Sequence, residues 1–239
     1  MTKVIALGVH NDDCEYSLGG TAKLLKDAGC DVKFVDVFSP YHDKICEVFH
    51  EPSEVTLGIK KLRGYVNAKD AILYSEETIE VYSKILREEQ PDIAFIMWPR
   101  DNHIEHAHCA RAQIDALWRA CGSTVNEVYA YEVGPLQSMG LFEQPDILIN
   151  ITDVIGLVKE CMLQFGDRVG AEALWREKEV SSQWRGHMAY RDFQYAEAFK
   201  IVKFPEKNRD FLLRRILEDQ FQWCGVGAYY WGRKYYMGY

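Results

Sequence analysis

The sequence predicts an α/β protein with a Rossmann-like, doubly wound, mostly parallel sheet and helices on both faces. Three observations carry this reading. An apolar run, KVIALGV at 3–9, precedes a helical stretch with a glycine-rich entry, SLGGTAKLLKDA at 17–28, and then an alternating β-branched run, DVKFVDVF at 31–38. Strand, helix and strand in such close succession make a βαβ unit with parallel strands and a right-handed crossover. A second buried-type run, DIAFIMW at 92–98, lies between helical patterns in the same way.

The elements follow in order. Residues 3–9 are apolar on both faces, as a strand buried in a parallel sheet must be. The helix at 17–28 meets Gly29, which suits a residue just past a helix end. Residues 39–54 read as a loop. Helical patterns follow at 54–68 and 75–89, and Pro91 terminates the second. After the 92–98 strand a polar loop, PRDNHIE at 99–105, leads into a helix at 106–119. EVYAYEV at 127–133 and DILINI at 146–151 read as strands, with Thr152 or Asp153 capping a helix over 153–165. KIVKF at 200–204 reads as a last short strand. Residues 1–203 form one domain by this reading. Residues 204–239 form an aromatic-rich extension that packs on the same domain or at a subunit interface, and a homo-oligomer is expected.

The bulk numbers narrow the function. The chain has 239 residues, 48% apolar and 27% charged, an ordinary composition for a globular protein with a substantial core. The net charge of −8 disfavours nucleic acid or an anionic membrane as partner. The seven cysteines are odd in number and contain no CxxC pair, which points to a reducing compartment and a cytoplasmic protein. The amino-terminal apolar run is too short for a secretory signal, and no stretch has spanning length.

Ligands of an open parallel sheet bind beyond the carboxyl ends of its strands. Two polar clusters fall there: His10, Asn11, Asp12 and Asp13 after the first strand, and Asp101, Asn102, His103, Ile104, Glu105 and His106 after the 92–98 strand. Histidines and carboxylates converging from two strand ends are zinc-ligand types. Each cluster alone also fits a plainer role, a phosphate-cradling turn or a helix cap. Cys14 reads as a small buried side chain, since neighbours on an extended chain point apart. His108 lies on a different helical face from His106. Arg100 suits either a charged part of a substrate or a surface ion pair.

VHNDDCEYSLGGTAKLL resembles the HPDD-E-x-x-x-GG-T segment of the N-acetylglucosaminyl-phosphatidylinositol de-N-acetylase family, the PIG-L or LmbE-like zinc deacetylases. RDNHIEHAHCARA resembles that family's D-x-HPDH segment, and YAEAF at 195–199 a run found in many bacterial members. The resemblance covers about residues 1–203. It implies His10, Asp13 and His106 as zinc ligands, Asp12 as general base and His103 as the group that steadies the tetrahedral intermediate. Glu15 matches the acidic residue after the motif, and Asp101 and Glu105 are supporting acids. Asp101 is expected to hold His103 in its charged form. The implied reaction is zinc-dependent hydrolysis of an N-acetyl amide on a small amino sugar, an N-acetylglucosamine conjugate. The alternatives are a metal-dependent phosphohydrolase and a non-catalytic sugar-binding relative; the histidines argue against a magnesium-type oxygen site.

Asn11 stands where that family has proline, and Ile104 and Glu105 stand where it has proline and aspartate. No ligand position is lost. The family's sugar-holding turn after the second strand has no clear counterpart in VFSPYHDKICEVFHEPSEVTLGIKKL.

Overall fold

The first strand, β1 (Lys3–Leu7), sits inside the sheet because it is apolar on both faces; Val4, Ile5, Ala6 and Leu7 are all buried. The chain is seen in a computed structural model that describes residues 1–37, 51–66, 74–134, 145–166, 170–205 and 210–224. Strand β2 (Asp31–Asp36) pairs in parallel with one side of β1 and β4 (Ile93–Met97) with the other. Strand β3 (Lys60–Arg63) adds to β2 and β5 (Glu127–Tyr131) to β4, again in parallel. Beyond β5 the direction reverses. Strand β7 (Ala196–Lys203) runs antiparallel to β5, β6 (Ile147–Asn150) to β7, and β8 (Phe221–Trp223) to β6. The described residues thus form an eight-stranded sheet, order β3-β2-β1-β4-β5-β7-β6-β8. Its order turns outward between β1 and β4, the switch point at which doubly wound sheets bind ligands.

Six α-helices cover the sheet among the described residues: α1 (Asp13–Asp27), α2 (Glu76–Glu89), α3 (Ile104–Cys121), α4 (Ile155–Leu163), α5 (Ala171–His187) and α6 (Leu212–Leu217). Helices α2 and α3 pack on each other, and α1, α4 and α5 form a second group. Phe211, Leu213, Leu217, Phe221 and Trp223 are buried in the same core as β1. None of the described helices is long and apolar enough to cross a membrane.

Several expectations change. Helix α1 begins at Asp13, not Ser17, and breaks at Leu18 (φ −136°, ψ 19°). The pattern over 54–68 is not a helix. Residues Ser53–Leu57 form a single π-helical turn that Gly58 ends in the left-handed region (φ 69°), and β3 follows at once. Neither Thr152 nor Asp153 caps α4, which starts at Ile155; the Thr152 hydroxyl instead donates to Asn150 Oδ1 at 2.6 Å and accepts the Gln194 and Tyr195 amides. YAEAF lies largely within a strand, because β7 starts at Ala196 rather than near Lys200. Helix α5 and strands β3 and β8 have no counterpart among the sequence expectations. Elsewhere the agreement is close: Ser75 caps α2 by accepting the Thr78 amide at 3.2 Å, and Gln90 (φ 47°) ends it just before Pro91.

The break in α1 ties two distant motifs together. A helix that restarts after a break has amide donors without intrahelical partners. Here the Gly20 and Thr21 amides donate to the Glu197 carboxylate at 3.0 and 2.7 Å. Lys178 neutralises that carboxylate at 2.7 Å and donates to the Ser17 carbonyl at 3.2 Å. Gly20 is demanded by packing, because a Cβ there would stand 2.6 Å from Ile151 Cγ2 and 2.8 Å from Ile151 Cβ. Gly20→Ala is therefore expected to destabilise the fold by about 1–3 kcal/mol, and thermal denaturation should show a Tm lower by roughly 2–4 °C per kcal/mol.

Candidate metal centre

The turn after β1 places the first cluster. Gly8 allows the chain to fold back closely, since a Cβ there would meet Cys14 Sγ at 3.1 Å and Asp13 Cβ at 3.2 Å. Asp13 then closes the turn: its Oδ2 accepts the Val9 and His10 amides at 2.8 and 2.7 Å. Tyrosine hydroxyls fix the strand end above it. Tyr131 donates to the Leu7 carbonyl at 2.7 Å and Tyr82 to the Gly8 carbonyl at 2.6 Å. Gln113 of α3 donates to Tyr82 at 3.1 Å and accepts the Met97 amide at 3.0 Å. The ends of β1 and β4 are thereby held in one buried hydrogen-bond network.

The second cluster begins at the amino terminus of α3. Asp101 Oδ1 accepts the His103 amide at 2.7 Å, which shapes the entry to the helix. His106 in the first turn of α3 then faces the β1 turn. Its Nε2 lies 3.2 Å from His10 Nδ1 and 3.4 Å from Asp13 Oδ1, and His10 Nδ1 lies 3.6 Å from Asp13 Oδ1. These atoms form a triangle with edges close to the roughly 3.3 Å that separates donors on a tetrahedron with metal–ligand bonds near 2.05 Å. The three donors therefore fit a zinc-like ion, two imidazoles and one carboxylate with a fourth position open.

The outward atoms of the same groups are occupied as metal ligands require. His106 Nδ1 meets Asp101 Oδ2 at 3.3 Å, and His10 Nε2 meets Glu105 Oε2 at 2.7 Å. Each carboxylate can hold the proton of the outer nitrogen, which would leave the inner one to ligate once a metal displaces its proton. Asp101 thus serves His106 and the His103 amide rather than the His103 ring, contrary to the sequence expectation. The His103 ring stacks on His106 with centroids 4.3 Å apart, and its Nδ1 is 3.9 Å from Glu105 Oε2. The three imidazoles His10, His103 and His106 also approach one another, with one ring nitrogen from each lying within 4.8 Å. The set that includes Asp13 is tighter.

The electrostatics match a site built for a cation. Burial opposes charge on His10, yet Asp13 and Glu105 carry it up to about 10, and Asp13 and Asp101 raise His106 to about 9 against the same burial. Burial would lift Asp13 too, but His106 and His10 hold it well below the usual carboxylate range. Asp12 is pushed up, first by burial and then by the Asp13 charge. His103 is pushed down by burial and by the two neighbouring histidines, so its favoured form is the neutral imidazole, not the charged one.

Glu15 is drawn elsewhere. Its buried carboxylate pairs with Lys61 of β3, Nζ to Oε1 2.6 Å, and Lys61 also donates to the Asn11 carbonyl. Lys61 was not singled out from sequence; a lysine in KKLR gives no sign that its ammonium is buried beneath a turn fifty residues away. Asn11 is buried and needs no left-handed backbone, since Gln90 is the non-glycine residue with positive φ among the described residues. Cys14 points its thiol at the Ala6 carbonyl, 3.6 Å away, and burial raises its pKa well above the usual thiol value. His42 and His50 lie outside the described residues. Glu105→Gln is expected to lower metal affinity about 10–100-fold by loosening His10, as measured by competition with a chromophoric chelator.

Residues 5–117 match the family model described as "PIG-L: GlcNAc-PI de-N-acetylase". Diacetylchitobiose deacetylase of Thermococcus kodakarensis is 26% identical over 173 residues, 64% of this chain and 65% of that protein. The chain thus matches just under two thirds of the length of that relative. Among solved structures, N,N'-diacetylchitobiose deacetylase from Pyrococcus horikoshii superposes with a TM-score of 0.64 at 24% identity, over 84% of each chain. The 4-carboxy-2-hydroxymuconate hydratase GalB from Pseudomonas putida KT2440 superposes with a TM-score of 0.67 at 18% identity, over 86% of this chain and 98% of that one. These two likenesses speak to fold. The family itself rests on the sequence matches: residues 5–117 form a PIG-L family domain, homologous to diacetylchitobiose deacetylase.

Proposed function

We propose that the chain is a metal-dependent N-deacetylase that hydrolyses an N-acetyl amide on an amino sugar, releasing acetate and a free amine. The observation that carries this is the donor triangle of His10 Nδ1, Asp13 Oδ1 and His106 Nε2, with edges of 3.2–3.6 Å and both histidines backed by carboxylates. Imidazole donors favour zinc over magnesium. The match to a diacetylchitobiose deacetylase supports the amide substrate. Bound by these three residues, zinc supplies a Lewis acid for the amide carbonyl and lowers the pKa of water from 15.7 to about 7.

The chain's own residues supply the proton movements. Asp12 is half-buried beside Asp13, at the cap of α1, and its raised pKa suits a general base. It takes the proton from the attacking water as the new C–O bond forms. His103 supplies an N–H donor to the amide oxygen as charge gathers there, a role a neutral imidazole can fill. The proton on Asp12 then passes to the amine nitrogen as the C–N bond breaks. The products are acetate and a free amine.

Asp12→Asn should keep its metal and lose about 10²–10⁴-fold in turnover; near wild-type acetate release from this variant sinks the base assignment. His106→Ala should lose metal and activity together, read by elemental analysis beside the acetate assay. The reading as a whole is tested by metal analysis of the purified protein and acetate release from N-acetylglucosamine conjugates. Bound zinc with no acetate from any conjugate overturns it in favour of a binding relative; bound magnesium with phosphate-ester cleavage points to a phosphohydrolase.

A further inference from the structure

Asp12, the proposed base, is held differently from the metal donors on either side of it. His10 and Asp13 brace each other, because Asp13 Oδ2 accepts the Val9 and His10 amides at 2.8 and 2.7 Å. Neither bond involves Asp12. It stands at the cap position of α1, yet its carboxylate makes no capping bond to the helix. Where that carboxylate stands therefore depends on the peptide planes before and after it. The plane after Asp12 is pinned inside the helix, since the Tyr16 amide donates to the Asp12 carbonyl at 2.9 Å. The plane before it carries the Asn11 carbonyl. Asn11 lacks the ring that locks φ in proline, so both of its backbone dihedrals are soft.

The Asn11 carbonyl is held instead from another strand. Lys61 of β3 donates to it through Nζ. The same ammonium is buried against the Glu15 carboxylate at 2.6 Å, with Glu51 Oε2 at 3.7 Å and the Phe165 ring centroid at 5.7 Å. Burial opposes its charge, yet Glu15 and Asp36 raise its pKa above the usual lysine value. Its backbone is fixed as well: β3 pairs with β2, and the Lys61 amide donates to Glu54 Oε1 at 3.1 Å. Asn11 is thus tied to a rigid, fully charged donor. A buried ion pair adds little stability over an apolar pair of similar volume. What an apolar pair could not supply is the bond to the Asn11 carbonyl.

We propose that Lys61 is a positioning residue for the base: its bond to the Asn11 carbonyl sets the peptide plane from which the Asp12 carboxylate projects. This role rests on the deacetylase reading above. The metal donors do not need Lys61, because Asp13 braces them without it.

Removing Lys61 alone strands Glu15 as a lone buried charge, so the test uses Lys61→Met/Glu15→Gln, which leaves neither charge. The metal-loaded full chain is assayed for acetate release from an N-acetylglucosamine conjugate. The variant should keep its Tm and its KM and lose about 10–100-fold in kcat, the order of loss that a misplacement of about 1 Å brings. Its metal affinity, read with a chromophoric chelator, should escape the roughly 10–100-fold loss that follows removal of a group backing a ligand. In an Asp12→Asn background the same two changes should cost less than about twofold in kcat, since residues that act as a unit lose their effect together. An unchanged kcat, an equal loss in the Asp12→Asn background, or a matching loss of metal affinity overturns the proposal. Where circular dichroism shows the variant unfolded, Lys61→Met/Glu15→Met carries the test; if neither folds, the pair serves the fold and the proposal falls. No acetate from the unsubstituted protein sinks the deacetylase reading instead. The anchor is then read by NMR of the metal-free full chain. A shift of the Asp12 amide nitrogen in the variant, with that of Val9 unmoved, upholds it, and an unmoved Asp12 resonance overturns it.

Discussion

The site depends on one buried carboxylate. Asp13 accepts the Val9 and His10 amides with Oδ2 and turns Oδ1 toward His10 and His106. A carboxylate this deeply buried is costly unless its charge is met. The two amides and the two imidazoles meet it, and they keep it ionised. The same side chain therefore shapes the loop that carries His10 and offers a donor beside it. The turn and the donor set cannot vary independently, because one residue belongs to both.

The rest of the rim serves to bring α3 up to that carboxylate at the right height. Gln113 and Tyr82 lock the end of β4 to the end of β1, and Asp101 sets the first turn of α3. Glu105 and Asp101 then back the two histidines from opposite sides. Lys61 reaches the turn from below, bonding the Asn11 carbonyl while Glu15 neutralises it. A buried ion pair contributes little net stability, though its geometry is strict. Here that geometry is applied to the one residue in the turn that departs from its family's pattern.

What was legible in the sequence followed physical rules of short range. The parallel half of the sheet could be read because β1 and β4 are apolar runs of strand length and β2 an alternating β-branched one, with clear breakers around them. The two clusters could be read because strand ends in such sheets are where ligands bind, and His10, Asp13 and His106 do converge there. The antiparallel half was harder. Strand β8 is three residues long, and β3 carries lysines that mask its burial. Helix α5 has no clear apolar stripe to announce it; its inner face includes Lys178 and Arg185, polar residues buried only because Glu197 and Glu132 face them. Partners of that kind are separated by tens of residues, and no local pattern reports them. Asp101 shows the same limit at close range: its distance from His103 in sequence suggested a bond to that ring, but the helix start turns it to His106.

The bond from Glu197 to the Gly20 and Thr21 amides has a consequence for biosynthesis. The stretch that matches the family model ends at residue 117, so the ribosome has made every proposed metal ligand well before it reaches β7. Yet the broken helix that carries Asp13 has its restart capped by a residue on that late strand. The nascent chain therefore carries its proposed ligands for about ninety further residues, from His106 to Glu197, before the clamp on the helix of Asp13 can close. Metal captured before β7 is made would meet an unfinished scaffold.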